Sequence, residues 1–227
     1  MATRRLNQPR ASRPQKRQQS APGAREQILL AAQELFAKNG FHATSIRQIA
    51  TSTGLNSQLI YYYFGDKSRL HRAVFERAAT EIHARAKAAV DSDGSARVRL
   101  ERFILEWTQD VLSKATLIRA LFRAAQEGDK ELVALVRERS SRNARLVQSL
   151  LDEGIRYGDF RKDLDSRFAS ASLAGMVFFL ATSGPVVMSA NAISSDEGLV
   201  NRLARHTADL FMQGIAADPV KRARRSR

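Results

Sequence analysis

The sequence predicts an all-α protein of about nine helices, with a small three-helix head joined to a larger helical body. Three observations predict it. The five prolines are Pro9, Pro14, Pro22, Pro185 and Pro219, so none falls between residues 23 and 184, an interval dominated by Ala, Leu, Arg and Glu. Proline breaks helix interiors and these four residue types favour them. Glycines stand where periodic segments end, at Gly40, Gly54, Gly65, Gly94, Gly128, Gly158, Gly184 and Gly198, as helix-stop signals do. Apolar side chains recur at spacings of three and four, with no strand-like alternation and no internal repeat.

The elements follow in order. The first helix covers residues 24–39, with Ile28, Ala32, Leu35 and Phe36 on one face. A short helix over 45–52 turns Ile46, Ile49 and Ala50 inward, and another covers 56–63. A long helix over 66–90 carries the chain out of the head. Segments at 95–112, 115–126, 130–157, 164–189 and 196–216 build the body. Pro185 must kink or shorten the eighth of these. Gly154, Gly175 and Gly214 fall inside helices, where a missing side chain allows close packing.

The net charge is +14, from 37 Lys and Arg against 23 Asp and Glu. Residues 1–24 hold Arg4, Arg5, Arg10, Arg13, Lys16 and Arg17 and no acid. Residues 218–227 hold Lys221, Arg222, Arg224, Arg225 and Arg227 against Asp218. Both ends are too polar to build a core, and basic ends of this kind point to a polyanion. The chain has no cysteine, which excludes a disulfide framework and thiolate chemistry and fits a cytoplasmic setting. The N-terminal charges lead into no apolar run, so no signal peptide is expected. The most apolar stretch, 173–187, is interrupted by Gly175, Thr182, Ser183, Gly184 and Pro185; it is too short to span a bilayer. His42, His71, His83 and His206 are scattered, without an HExxH motif, a carboxylate cluster or a glycine-rich phosphate loop. No enzyme activity, cofactor or metal site is expected.

Residues 44–63 read as helix, tight turn, helix. Ser45 and Gln48 have capping-box spacing, with Thr44 as an alternative cap. Thr53 and Gly54 make the turn, Leu55 plugs it from the core side, and Asn56 caps the next helix. This is the punctuation of a helix-turn-helix, whose second helix enters the DNA major groove. Ile60 and Phe64 are four apart and anchor that helix, while Tyr61, Tyr62 and Tyr63 fan away from the anchor.

Residues 25–77, REQILLAAQELFAKNGFHATSIRQIATSTG followed by LNSQLIYYYFGDKSRLHRAVFER, resemble the DNA-binding head of the Tet-repressor (TetR) family of transcriptional regulators. The shared landmarks are Ile28-Leu29, Ala31-Ala32, Leu35-Phe36, Gly40-Phe41, Ala43-Thr44, Ile49-Ala50, Gly54, Tyr61-Tyr62, Phe64 and Lys67. The resemblance implies a homodimeric repressor whose heads read a palindromic operator in double-stranded DNA. A small-molecule effector in the body then releases it, and no membrane is involved. It also implies residue roles. Thr44 and Ser45 open the second helix and hold a phosphate; Arg47 reaches bases, where arginine suits guanine. Ser57 and Gln58 open the recognition helix, Tyr61 lies against bases, and Tyr62, Tyr63 and Lys67 meet phosphates. Three positions depart from the usual pattern. Tyr63 stands where many members have histidine, Leu59 where a small or polar residue is usual, and Gln58 where glycine is common.

For the body, the resemblance implies an effector cavity enclosed by the helices between about residues 66 and 157, with Phe103, Trp107, Phe122 and Phe178 as candidate wall residues. Acids are not concentrated on these apolar faces, which favours a neutral or anionic ligand over a large cation. The final two helices are expected to pair with their copies through Leu173, Met176, Val177, Leu180, Leu199, Leu203, Leu210 and Phe211. The expected division is a basic arm over 1–23, a helix-turn-helix domain over 24–70, an effector-binding and dimerisation domain over 71–217, and a basic tail over 218–227. The alternative from charge alone is an architectural DNA-binding protein without effector control.

Overall fold

A computed structural model describes residues 23–126, 128, 130–188 and 196–217. The basic arm (residues 1–22) and the basic tail (218–227) lie outside the described residues. The elements are α1 (Ala24–Ala43), α2 (Ile46–Thr53), α3 (Ser57–Phe64), α4 (Lys67–Val90), α5 (Ala96–Ser113), α6 (Ala115–Gln126), α7 (Lys130–Tyr157), α8 (Ser166–Thr182), α9 (Gly184–Val187) and α10 (Glu197–Ile215). Among the described residues there is no strand, only an isolated antiparallel bridge between Phe160 and Ala216. No described helix is long and apolar enough to cross a membrane.

The helix starts are written locally. Ser45 Oγ accepts from the Gln48 amide at 3.2 Å while Gln48 Oε1 accepts from the Ser45 amide at 2.7 Å, a complete capping box. Asn56, Asp66, Ser95, Asp165 and Asp196 cap α3, α4, α5, α8 and α10 through their side chains. The Asp165 carboxyl is drawn down to about 2 by the side-chain hydrogen bond from Arg167, then by the Phe168 amide. Two glycines are required by backbone geometry. Gly54, at φ 68°, closes α2 left-handed, and Gly40, at φ 82°, breaks α1 just past the expected end at residue 39. Pro185 shortens α8 rather than kinking it. The helix ends at Thr182, and proline enters the first turn of the single-turn α9, where its missing amide breaks no helical hydrogen bond.

Two apolar clusters organise the chain. The first gathers Ile28, Leu29, Ala32 and Phe36 of α1, Ile46, Ile49 and Ala50 of α2, Ile60 and Phe64 of α3, and Leu70, Val74, Phe75 and Ala78 of α4. It also takes Leu117 of α6 and Leu132 of α7, so the body closes the base of the head's core. The second cluster begins at Ile82 of α4 and draws on α5, α6, α7, α8 and α10. Helix α4, about 36 Å long at 1.5 Å per residue, thus serves both cores. Leu55 packs on the head core, as its place in the turn implied. Gly154 packs as closely as expected: a Cβ there meets the Phe160 ring at 2.2 Å. Gly175 and Gly214 have nothing within 4 Å.

Candidate nucleic-acid interface and effector cavity

Helix α3 sits on the head by its anchor pair, since Ile60 and Phe64 are buried. At about 100° per residue, Tyr62 points away from that pair while Tyr61 and Tyr63 flank it. Exposure follows this order: 81% for Tyr62, 52% for Tyr61 and 40% for Tyr63. The Tyr62 and Tyr63 rings meet edge-on at 5.3 Å. Arg47, Gln58 and the capping Ser45 are exposed as well, with Ser57 and Leu59 half-buried. Three phenol hydroxyls, a guanidinium and an amide therefore stand outward from α2 and α3, a donor and acceptor set suited to phosphates and base edges.

One of the expected contacts needs correction, and another is partly engaged within the head. Thr44 is buried, and its hydroxyl donates to the Gly40 carbonyl at 2.8 Å and to the Leu35 carbonyl at 3.1 Å. It ties down the broken end of α1, so its hydroxyl does not face a phosphate. Lys67 is half-buried at the junction of α1 and α4. Its ammonium donates to the His42 carbonyl at 3.4 Å and lies 4.4 Å from the Phe41 ring centre. Burial lowers its pKa. An ammonium has three donors, so the His42 carbonyl does not use them all.

The body holds a cavity of about 120 Å³ between α4, α5, α6, α7 and α8. All four aromatic candidates line it and form one chain of rings. Centroids are 5.6 Å apart for Phe103 and Trp107, 5.9 Å for Trp107 and Phe178, and 5.8 Å for Phe178 and Phe122. Phe103 and Trp107 form its buried end, while Phe122 is partly exposed. Sequence reasoning missed the polar lining: Lys114, Arg139, Ser140, Asn143 and Ser170, with no acidic side chain among the lining residues. Phe75, Ala78 and Leu117 line the cavity and also belong to the head core, on which Leu121 and Leu135 of the cavity wall pack too.

The proposed dimer stripe is corrected in part. Leu173, Val177, Leu203 and Phe211 are buried in the chain's own core, and Met176, Leu180 and Leu199 are half-buried against it. Leu199, Leu203 and Phe211 of α10 face the body because that helix packs along α5, where Gln109 Nε2 donates to Asn201 Oδ1 at 2.8 Å. Leu210 alone of the eight is open, at 54%. The exposed apolar residues of α8 are instead Phe168 (72%) and Phe179 (51%), aligned with exposed Ser172 and Gly175 at helical spacing. Phe168, Ser172, Met176, Leu210 and Gly214 line one shallow groove between α8 and α10.

Comparison with known proteins assigns this arrangement. Residues 28–74 match the bacterial regulatory proteins of the tetR family, and residues 93–182 match the tetracyclin repressor-like C-terminal domain. The chain belongs to the TetR family. It is thereby a DNA-binding transcriptional regulator. The HTH-type transcriptional repressor NicS of Pseudomonas putida is 25% identical to this TetR-family chain over 209 residues, 88% of it and 95% of the relative. A putative transcriptional regulator from Saccharomonospora viridis in complex with choline superposes with a TM-score of 0.72 at 21% identity, over 86% of this chain and 98% of that one. The transcriptional regulator FadR from Bacillus subtilis in complex with stearoyl-CoA gives 0.67 at 22% identity, over 83% and 98%.

Proposed function

We propose that the protein acts as a homodimeric repressor in the cytoplasm, binds a palindromic operator through α2 and α3, and leaves it when a small molecule enters the body cavity. One observation carries the coupling: the cavity wall and the head core share Phe75, Ala78 and Leu117. A ligand that spreads α4 and α6 must move residues on which the head is seated. Cores repack between discrete arrangements rather than yielding smoothly. Occupancy therefore shifts the population of head positions, and only dimers with recognition helices about 34–36 Å apart fit two successive major grooves. The relative NicS, a transcriptional repressor, supports repression, and FadR in complex with stearoyl-CoA supports a small-molecule ligand.

The division proposed is an arm over 1–23, a DNA-reading domain over 24–70, an effector and dimer domain over 71–217, and a tail over 218–227. In this reading the face of α8 and α10 bearing Phe168, Phe179 and Leu210 meets its copy, and Gly175 and Gly214 let the two backbones approach. Footprinting on the DNA beside the protein's own gene tests the function. A discrete two-fold protected site is the expected result. Continuous, salt-sensitive coverage would instead support the architectural reading that the basic ends suggest.

A further inference from the structure

The charges on the cavity wall have one sign. Lys114 and Arg139 line it and no Asp or Glu does. Lys114 is partly balanced from outside the wall, because Glu81 lies 3.9 Å from its ammonium. Among the described residues no acid pairs with the half-buried Arg139, and its Nε is buried without an acceptor. A buried N–H donor left without an acceptor is unfavourable, and an anion in the cavity would supply one. Asn143 lines the cavity about one helical turn from Arg139 on α7. His83 Nδ1 holds its Oδ1 at 2.7 Å, which leaves the amide NH₂ to donate. The rings of Phe103, Trp107 and Phe178 line the same cavity.

Resting on the reading of this cavity as the effector site, we propose that the effector is a compact apolar carboxylate. Its hydrophobic body packs against the three rings, and its carboxylate takes a two-pronged pair of hydrogen bonds from Arg139, seconded by Asn143. The planar guanidinium fork matches the two oxygens of a carboxylate. A volume of about 120 Å³ suits a body the size of one ring or a short chain, given that an apolar cavity of roughly 150 Å³ admits benzene.

Trp107 is the only tryptophan of the chain and lines the cavity, so its fluorescence reports occupancy. The experiment titrates the full-length protein with benzoate and benzamide, and with octanoate and octanamide, at neutral pH. In at least one pair the acid is expected to bind at least about tenfold more tightly than its amide, the worth of one charged hydrogen bond. Arg139→Gln should erase that difference without weakening the amide, and Arg139→Lys should restore part of it; circular dichroism checks the fold of both. Should neither variant fold, the comparison of acid with amide in the unaltered chain still decides. Amides that bind as tightly as acids in both pairs overturn the carboxylate and keep the cavity as a ligand site. Silence from all four compounds overturns both.

Discussion

Tyr62 stands 81% exposed on α3, opposite the buried Ile60 and Phe64, with Tyr61 and Tyr63 on its two sides. A solvated phenol gains nothing from such placement, whereas a groove of DNA offers each hydroxyl a partner. Tyr61→Phe should therefore alter sequence preference, costing about 1 kcal/mol at the preferred operator and less at variants of it. Tyr63→Phe should weaken all sites alike; band shifts over a set of operator variants separate the two. Gly154 is decided by space rather than by DNA. Its missing Cβ makes room for the fully buried Phe160 ring, 2.2 Å away, so Gly154→Ala must displace that ring. The helix gain of about 1 kcal/mol is outweighed by overpacking of about 1–3 kcal/mol, and more if Phe160 is expelled. Urea denaturation should show a net loss of roughly 1 kcal/mol, and more if the ring is expelled.

At the scale of elements, the boundaries were legible because caps and stops are local chemistry. Ser45 with Gln48, Asn56, Asp66 and Gly54 each act within four residues of their own position. The faces of α2 and α3 were legible too, since Ile46, Ile49, Ile60 and Phe64 leave one place for a core. What sequence could not decide was which neighbour a long apolar stripe meets. Leu173, Val177, Leu203 and Phe211 form the most regular stripes, and they face the chain's own body. The outer face is interrupted by Ser172 and Gly175, so Phe168 and Phe179 form no continuous apolar stripe. Phe168→Glu with Phe179→Glu should yield a folded monomer by sedimentation, with helix content unchanged. Leu173→Ala should instead destabilise each subunit by about 2–5 kcal/mol through the cavity it leaves. Arg139 and Lys114 escaped notice for a related reason: a cation within an amphipathic helix reads as solvated until the fold turns it toward a cavity. The clue was present, because Arg139 lies four residues after Leu135 and four before Asn143, on the face that α7 turns to the wall.

For the whole molecule, charge and shape divide the work between reach and register. Six cations in residues 1–24 suit phosphate contacts, which carry no sequence information. Deleting residues 2–22 should weaken operator binding and reduce the slope of log affinity against log salt by about 5, while leaving sequence preference intact. An unchanged slope in a salt titration would remove the arm from the interface. In the proposed reading, register comes from the dimer and from Phe75, Ala78 and Leu117, which the head core and the cavity wall share. The chain lacks cysteine, so Lys38→Cys, on the exposed side of α1, places one spin label per head with no background. Label-to-label distances in the dimer should be narrow on operator DNA. They should shift on adding a small molecule that both quenches Trp107 and releases the DNA. An operator affinity that falls while the distance between heads stays fixed would contradict the coupling proposed here.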